Sequence, residues 1–435
     1  MKTGWGMVLV VGAISGLVGG VIAAPADAER AALVVLKQGA ADQLFENILP
    51  FWLAHGMDHD QGGFIGRARR DGTPVPAAPK GLVLNARLLW TFSAVYRTRR
   101  DDVYLRTARR AYEALDRDFR DPVHGGYYWM LDAAGKPIDD RKELYGNAFV
   151  VYALAEYYRA TGEADARQRL VDLFDCIERR ARDSRQGGYL ETFSRDWTPA
   201  ATSSLAPSVR GGVKTMNTHL HLLEAYTNLV HAVRDERTTA ALRHLLDVFD
   251  EHIYDGRDHY CKLFFDRSWK SLKEMTSYGH DIEAAWLLRD AARALHDARR
   301  LERTRQIALE IGMAVERRGL DADGGLLYEG TLDGVTNREK HWWPQAETVV
   351  GYLDLYECTG DPCWLHIAVR NWRYTEKHIV DPVHGEWFGR AAAEHGPDDL
   401  KISEWKAPYH NGRACLEVLR RVDRLQRLDA RPKPR

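Results

Sequence analysis

The feature that most constrains this chain is a short glycine-bearing segment that recurs six times. It reads "DHDQGGFIGRARRDGTP" around Gly63, "DPVHGGYYWMLDAAGKP" around Gly126 and "DSRQGGYLETFSRDWTP" around Gly188. A degenerate fourth copy, "DGRDHYCKLFFDRSW", surrounds Tyr260, and "DADGGLLYEGTLDG" and "DPVHGEWFGRAAAEHGP" follow at Gly325 and Glu386. Successive copies are separated by 63, 62, 72, 65 and 61 residues. A period of this kind marks a repeat architecture. Between the copies, stretches such as "LNARLLWTFSAVYRT" and "AETVVGYLDLYECTG" carry apolar residues at three- and four-residue intervals, the helical signature. Gly162 and Gly360 stand where helices stop. Each repeat is therefore a hairpin-like glycine segment and two helices. Six helix pairs predict an all-α fold, an (α/α)6 barrel of inner and outer rings with short β-hairpin loops. A linear solenoid would need polar capping repeats at its ends, and here the last copy is as aromatic as the second.

The 435 residues, 45% of them hydrophobic, are enough for a large core. With 61 basic and 62 acidic residues spread along the chain, no basic stripe marks a nucleic-acid partner. Thirteen Trp and nineteen Tyr, many beside glycine, suit the flat faces of sugar rings. The first 28 residues have the layout of a secretory signal peptide: Lys2, an apolar run, then small residues ending in Ala26-Asp27-Ala28. The expected division is a leader over 1–28, a barrel domain over 29–423 and a basic, flexible tail over 424–435. It implies an exported protein, periplasmic or secreted, with no membrane span after cleavage. Among five cysteines, Cys358 and Cys363 are close enough in sequence to pair, and Cys176, Cys261 and Cys415 read as buried thiols.

An unusual polar or aromatic residue follows each glycine segment by roughly twenty to thirty residues, near the start of the next helix. These are Arg87, then Tyr145 and Asn147, then Asn217 and His221, then His280 and Glu283, then Trp342, Trp343, Gln345 and Glu347, and lastly Trp405 and His410. Singly, each has an ordinary structural explanation; their recurrence at equivalent places points to one central pocket. His219 and His221 lie at i, i+2 and point apart on a helix, and there is no HExxH or Cys/His cluster, so no metal is expected. A phosphate-binding glycine loop and a serine nucleophile elbow are also missing. Histidines are the prominent candidates, and imidazole suits proton transfer near neutrality. Two histidines on opposite faces of a sugar could remove a proton and return it from the other side. Glycoside hydrolysis would need two opposed carboxylic acids, and because (α/α)6 barrels do host hydrolases that alternative stays open.

The motifs "NARLLWTFS", "DDRKELYGNAFVVYALAEYYRATG", "MNTHLHLLEAYTNL", "GHDIEAAWLL", "WWPQAETVVGY" and "WKAPYHNGRACLE" resemble the N-acylglucosamine 2-epimerase superfamily, most closely its cellobiose 2-epimerase branch. The resemblance implies an (α/α)6 barrel that interconverts glucose and mannose at the reducing end of β-1,4-linked disaccharides such as cellobiose, lactose or mannobiose. It implies a cis-enediol and no cofactor. A monomer or homodimer is expected. Carried over, His280 and His410 match the acid–base pair, and His221 matches a third essential histidine concerned with ring opening. Arg87, Asn217 and Glu283 match groups that hold hydroxyls and stabilise the enediolate. Trp405 and one of Trp342 and Trp343 match sugar platforms, and Tyr145, Asn147 and Glu347 complete the expected pocket. Members of this superfamily commonly carry Gln where Asn147 stands, and they are usually cytoplasmic. An N-acylglucosamine 2-epimerase, a mannose-type aldose–ketose isomerase and a non-catalytic sugar binder are the remaining alternatives.

Overall fold

A computed structural model describes residues 27–205, 208–392, 395–396 and 399–429. The chain enters through α1 (Asp27–Asp42), which runs through a π-helical stretch into α2 (Leu49–His55). Inner and outer helices then alternate. The pairs are α3 (Leu82–Thr98) with α4 (Asp102–Ala114), α5 (Leu144–Thr161) with α6 (Ala164–Arg180), and α7 (Met216–Ala232) with α8 (Glu236–Val248). They continue with α9 (Tyr278–Leu295) and α10 (Ala298–Gly319), α11 (Trp342–Thr359) and α12 (Pro362–His378), and end on α13 (His410–Asp429). Burial separates the two rings. On α11 every residue from Trp343 to Glu357 is buried, whereas α4, α6, α8, α10 and α12 bury one stripe and turn charged residues outward.

The ring is closed. Each inner helix packs on the next, α13 returns to α3, and α1 packs on α13 and α12 to complete the outer ring. Short strands repeat the closure at one end of the barrel. The residues before each inner helix pair antiparallel with the following hairpin: Lys80–Gly81 with Met130–Leu131, Lys142–Glu143 with Thr192–Phe193, and Lys214–Thr215 with Phe264–Phe265. Thr276–Ser277 pairs with Glu329 and Gly330, His341 bridges Arg390, and Ala68 bridges Ile402, joining the last repeat to the first. This circuit bears out the barrel and excludes the open solenoid.

An ion pair anchors five of the six hairpins, at 2.7–3.2 Å: Asp121–Lys142, Asp183–Lys214 and Asp381–Lys401 are buried, and Asp58–Lys80 and Asp321–Lys340 are partly buried. In the degenerate fourth repeat Thr276 stands in place of the lysine, directly before Ser277. A second clamp comes from the inner helices. Asn147 Oδ1 accepts from the Tyr127 amide, His219 Nε2 from Tyr189, Asp281 Oδ1 from Cys261 and Gln345 Oε1 from Leu326. In the sixth repeat Asn411 donates to Glu386, a residue held at φ +61° where every other copy but the fourth has glycine.

Three expectations change. The last helix continues through Asp429, with Leu425 buried and Arg424 bonded to Glu357, so 424–429 belong to the barrel and not to a flexible tail. Cys358 and Cys363 are separate free thiols: Cys358 Sγ points back to the Leu355 carbonyl inside α11, and Cys363 is exposed on α12. Asn147 is fully buried in its clamp, with Nδ2 bonded to the Glu143 and Tyr127 carbonyls, so it holds a hairpin and does not face a sugar. The leader reading falls outside the described residues except for Asp27 and Ala28. Among the described residues no helix is long and apolar enough to cross a membrane.

Candidate active site

The clamp and the pocket use different faces of the same inner helices. Two residues beyond each clamp, about 200° around the helix, the side chain points to the barrel axis. That position holds Arg87, Phe149, His221, Glu283, Glu347 and Arg413 in turn. One turn nearer the hairpins come Tyr145, Asn217, His280, Trp343 and His410, in or next to the first helical turn. The positive ends of the inner helices therefore surround the pocket. Gly279 lets α9 and α11 meet there: a Cβ on it would stand 2.7 Å from the Trp343 ring, which packs on His280 with centroids 4.6 Å apart.

Arg413 is the hub of the floor. It donates to Glu224, to Glu283 at 2.6 Å and to Glu347 at 2.7 Å, all four residues being buried. Glu224 also accepts from the Tyr409 hydroxyl at 2.5 Å and lies 3.1 Å from His221 Nδ1. Glu347 lies 2.7 Å from His410 Nδ1 and accepts from Trp286 Nε1 at 3.2 Å. One guanidinium cannot balance three buried carboxylates, so a proton must remain among them. Glu224 and Glu347 accept on both oxygens, whereas Glu283 Oε2 has no partner among the described residues. Burial and then the neighbouring Glu347 charge push the Glu283 carboxyl well above its ordinary value, which makes it the proton holder. Glu224 moves the other way: burial opposes ionisation, but Arg413 and His221 hold it at about 2.

Three imidazoles meet over this floor, and all are neutral. Burial pushes His221 down to about 4 and His280 to about 3, and burial with the Arg87 and Arg413 charges takes His410 well below 6.5. Burial raises the Glu347 carboxyl too, but Arg413 opposes that and both of its oxygens accept from fixed donors, so it is Glu283 that keeps the proton and Glu347 that ionises. An ionised carboxylate only accepts, so His221 and His410 carry their proton on Nδ1 and keep the Nε2 lone pair. His280 Nδ1 is paired instead with the Ser277 hydroxyl at 2.8 Å. Ring nitrogens of His221 and His280 and a Glu283 oxygen lie within 4.8 Å of one another, as do atoms of Glu283, Glu347 and His410. These donors are close enough to share a cation, but Arg413 already supplies the positive charge at Glu283 and Glu347.

Arg87 spans the wall, donating to the Trp405 carbonyl at 2.6 Å and the Tyr145 hydroxyl at 3.0 Å. Asn217 is half-buried, and its Oδ1 has no partner among the described residues. Trp405, 39% exposed, stands at the mouth against Tyr145 and Trp129. A recess of about 360 Å³ lies between Trp405 and Trp342. Thus the expected residues converge, Asn147 excepted. Glu347 acts on His410 and Arg413, and of the two adjacent tryptophans Trp343 touches the histidines while Trp342 lines the recess. Arg413, Tyr409, Trp286, Phe149 and Trp129 escaped the sequence reading. Arg413 could have been found, since it follows Asn411 by two residues as Glu283 follows Asp281.

Residues 63–414 match the family described as N-acylglucosamine 2-epimerase (GlcNAc 2-epimerase). A cellobiose 2-epimerase of Bacteroides fragilis is 42% identical over 388 residues, covering 88% of this chain and 99% of that one. The mouse N-acylglucosamine 2-epimerase is more distant, 27% identical over 93% of this chain and 96% of its own. Among solved structures, the cellobiose 2-epimerase of Bacillus thermoamylovorans superposes with a TM-score of 0.85 at 36% identity, over 89% of this chain and all of that one. This chain belongs to the N-acylglucosamine 2-epimerase family.

Proposed function

We propose that this protein is an isomerase, a 2-epimerase for the reducing-end glucose or mannose unit of β-1,4-linked disaccharides such as cellobiose, lactose and mannobiose. The observation that carries the reading is the convergence of neutral His280 and His410 on a protonated, buried Glu283. Abstracting a hydrogen next to a carbonyl needs a base, an acid and a donor for the enediolate oxygen. His410, its Nδ1 held by Glu347, takes the C2 proton from one epimer, and His280 serves the other face. A buried carboxylic acid kept neutral can donate to a developing oxyanion, which is the role of Glu283 here. His221, oriented by Glu224, acts on the ring oxygen when the pyranose opens. Arg87, Tyr145 and Asn217 hold hydroxyls, Trp343 forms the inner wall, and Trp405 and Trp342 receive the second sugar.

The greater identity to proteins bearing the cellobiose 2-epimerase name favours a disaccharide over an N-acylated hexosamine. Hydrolysis is disfavoured by geometry. Glu283 and Glu347 share one Arg413 nitrogen and lie within 4.8 Å, which leaves no space for a glycosidic bond between them. The leader-like sequence over 1–28 supports export, which N-terminal sequencing of the mature protein tests. The function is tested by incubating the protein with cellobiose in D2O. Deuterium at C2 of an intact disaccharide is expected, and its absence with cellobiose, lactose and mannobiose alike refutes the reading.

A further inference from the structure

A two-base epimerase faces a problem of accounting. When one imidazole takes the C2 proton and the other delivers one, the two exchange protonation states. The free enzyme would then exist in two forms, each competent for one epimer, that must interconvert through solvent before the next turnover. Here His280 and His410 both start neutral, so the delivered proton also needs a source.

The site holds a group placed to supply and recover it. Glu283 is 0% exposed, and Arg413 pins one of its oxygens at 2.6 Å while the other has no partner among the described residues. Its carboxyl lies within 4.8 Å of a ring nitrogen of His280 on one side and of His410 on the other. Such gaps are crossed by one water or a small side-chain rotation. Glu347, bonded on both oxygens, and Glu224, held ionised by Arg413, are not free to do this.

We propose that Glu283 is the proton bridge between His280 and His410, lending a proton to one imidazole and recovering one from the other in every turnover. This rests on the epimerase reading above and adds a return path to it. His410 takes the C2 hydrogen as a proton, and the C2 electron pair passes into the enediolate. Glu283 donates to the enediolate oxygen while charge builds there; as the enediolate collapses and that charge leaves, Glu283 gives its carboxyl proton to His280, and His280 delivers that proton to C2 from the other face. The Glu283 carboxylate then takes the proton carried by the His410 imidazolium. Every group ends as it began, and the other epimer runs the same circuit in reverse from the same resting enzyme.

The test is a tracer-perturbation experiment on the full chain. Enzyme is equilibrated with radiolabelled cellobiose and its epimer, a large excess of unlabelled cellobiose is added, and the label is followed. With a single free form the label stays at its equilibrium distribution, and that is expected of the wild type. In Glu283→Gln, turnover is expected to fall roughly 10²–10⁴-fold, and the label is displaced transiently because two free forms now accumulate. Should Glu283→Gln prove inactive, Glu283→Ala is assayed with added formate; partial restoration is expected of a missing proton carrier, and none overturns the bridge. Circular dichroism and cellobiose binding by tryptophan fluorescence confirm that each variant is folded. Displacement of label by the wild type overturns the proposal, as does a Glu283→Gln protein within about threefold of wild-type turnover. A wild type that never interconverts the epimers refutes the epimerase reading, and the bridge falls with it.

Discussion

His219 offers a way to measure the cost of burying a neutral imidazole in the barrel. It is fully buried, its Nδ1 donates to the Thr215 carbonyl at 2.7 Å, and its Nε2 accepts from the Tyr189 amide at 3.0 Å. Both nitrogens are committed in the neutral state, and burial pushes the imidazole down to about 3. An unfolded histidine titrates near 6.5. As pH falls below that value the unfolded chain binds a proton that the folded chain refuses, so stability is full above 6.5 and declines progressively until about pH 3. At pH 5.0 the loss from this one residue is RT ln(1 + 10^1.5), about 2 kcal/mol. Gln345 fills the equivalent place in the fifth repeat, accepting from the Leu326 amide and donating to the Leu326 and His341 carbonyls. The perturbation is therefore His219→Gln, which keeps the clamp and removes the titration. Melting temperatures of both proteins are measured at pH 7.5 and pH 5.0. At pH 7.5 the variant melts at or below wild type, since it loses the ring contact with Trp269. Between the two pH values the difference is expected to shift by about 2 kcal/mol in the variant's favour, about 2 °C for a chain of this length. A gap that stays constant within about 0.5 °C refutes the reasoning, because other titrating groups are common to both proteins.

Other expectations follow from the same geometry. Asn147→Ala leaves the Tyr127 amide unpaired, so it should cost about 1–3 kcal/mol in urea unfolding while KM for cellobiose stays within about twofold. Glu347→Gln keeps a partner for Trp286 but removes the charge that fixes the His410 tautomer, so kcat should fall by about 10² or more with KM little changed. Trp405→Ala, at the exposed mouth, should raise KM and leave stability within about 0.5 kcal/mol.

The barrel could be read from the sequence because it is periodic. The glycine segments repeat at near-equal intervals, and the helices between them keep an unbroken apolar rhythm. The site was legible down to a phase error of two residues. Asn147 and His219 look as chemically suggestive as Arg87 and His221, yet an i, i+2 step separates the face that grips a hairpin from the face that meets the axis. Asn147 falls on the gripping face, and its axial counterpart is the unremarkable Phe149. Arg413 sat inside a quoted motif but reads in sequence as one more arginine among many; its meaning lies in three glutamates drawn from α7, α9 and α11. The Lys–Asp anchors were hidden for a similar reason, since partners such as Lys142 and Asp121 stand 21 residues apart. The helical end of the chain extended past 423 because Arg424 and Leu425 find partners on the barrel, whatever the basic composition beyond them suggests.

The bridge between Ala68 and Ile402, and the Arg87 bond to the Trp405 carbonyl across 318 residues, have a consequence in time as well as in space. A ring cannot be partly closed. Until the last inner helix leaves the ribosome, Glu224, Glu283 and Glu347 have no guanidinium to gather around, and the N-terminal repeats present an apolar flank with nothing to cover it. The arginine that completes the floor of the proposed site thus comes from the sixth repeat, after all three of its glutamates. Activity should arrive as a late, all-or-none event in the life of each chain, and nascent chains shortened before Arg413 should be ready substrates for holding chaperones.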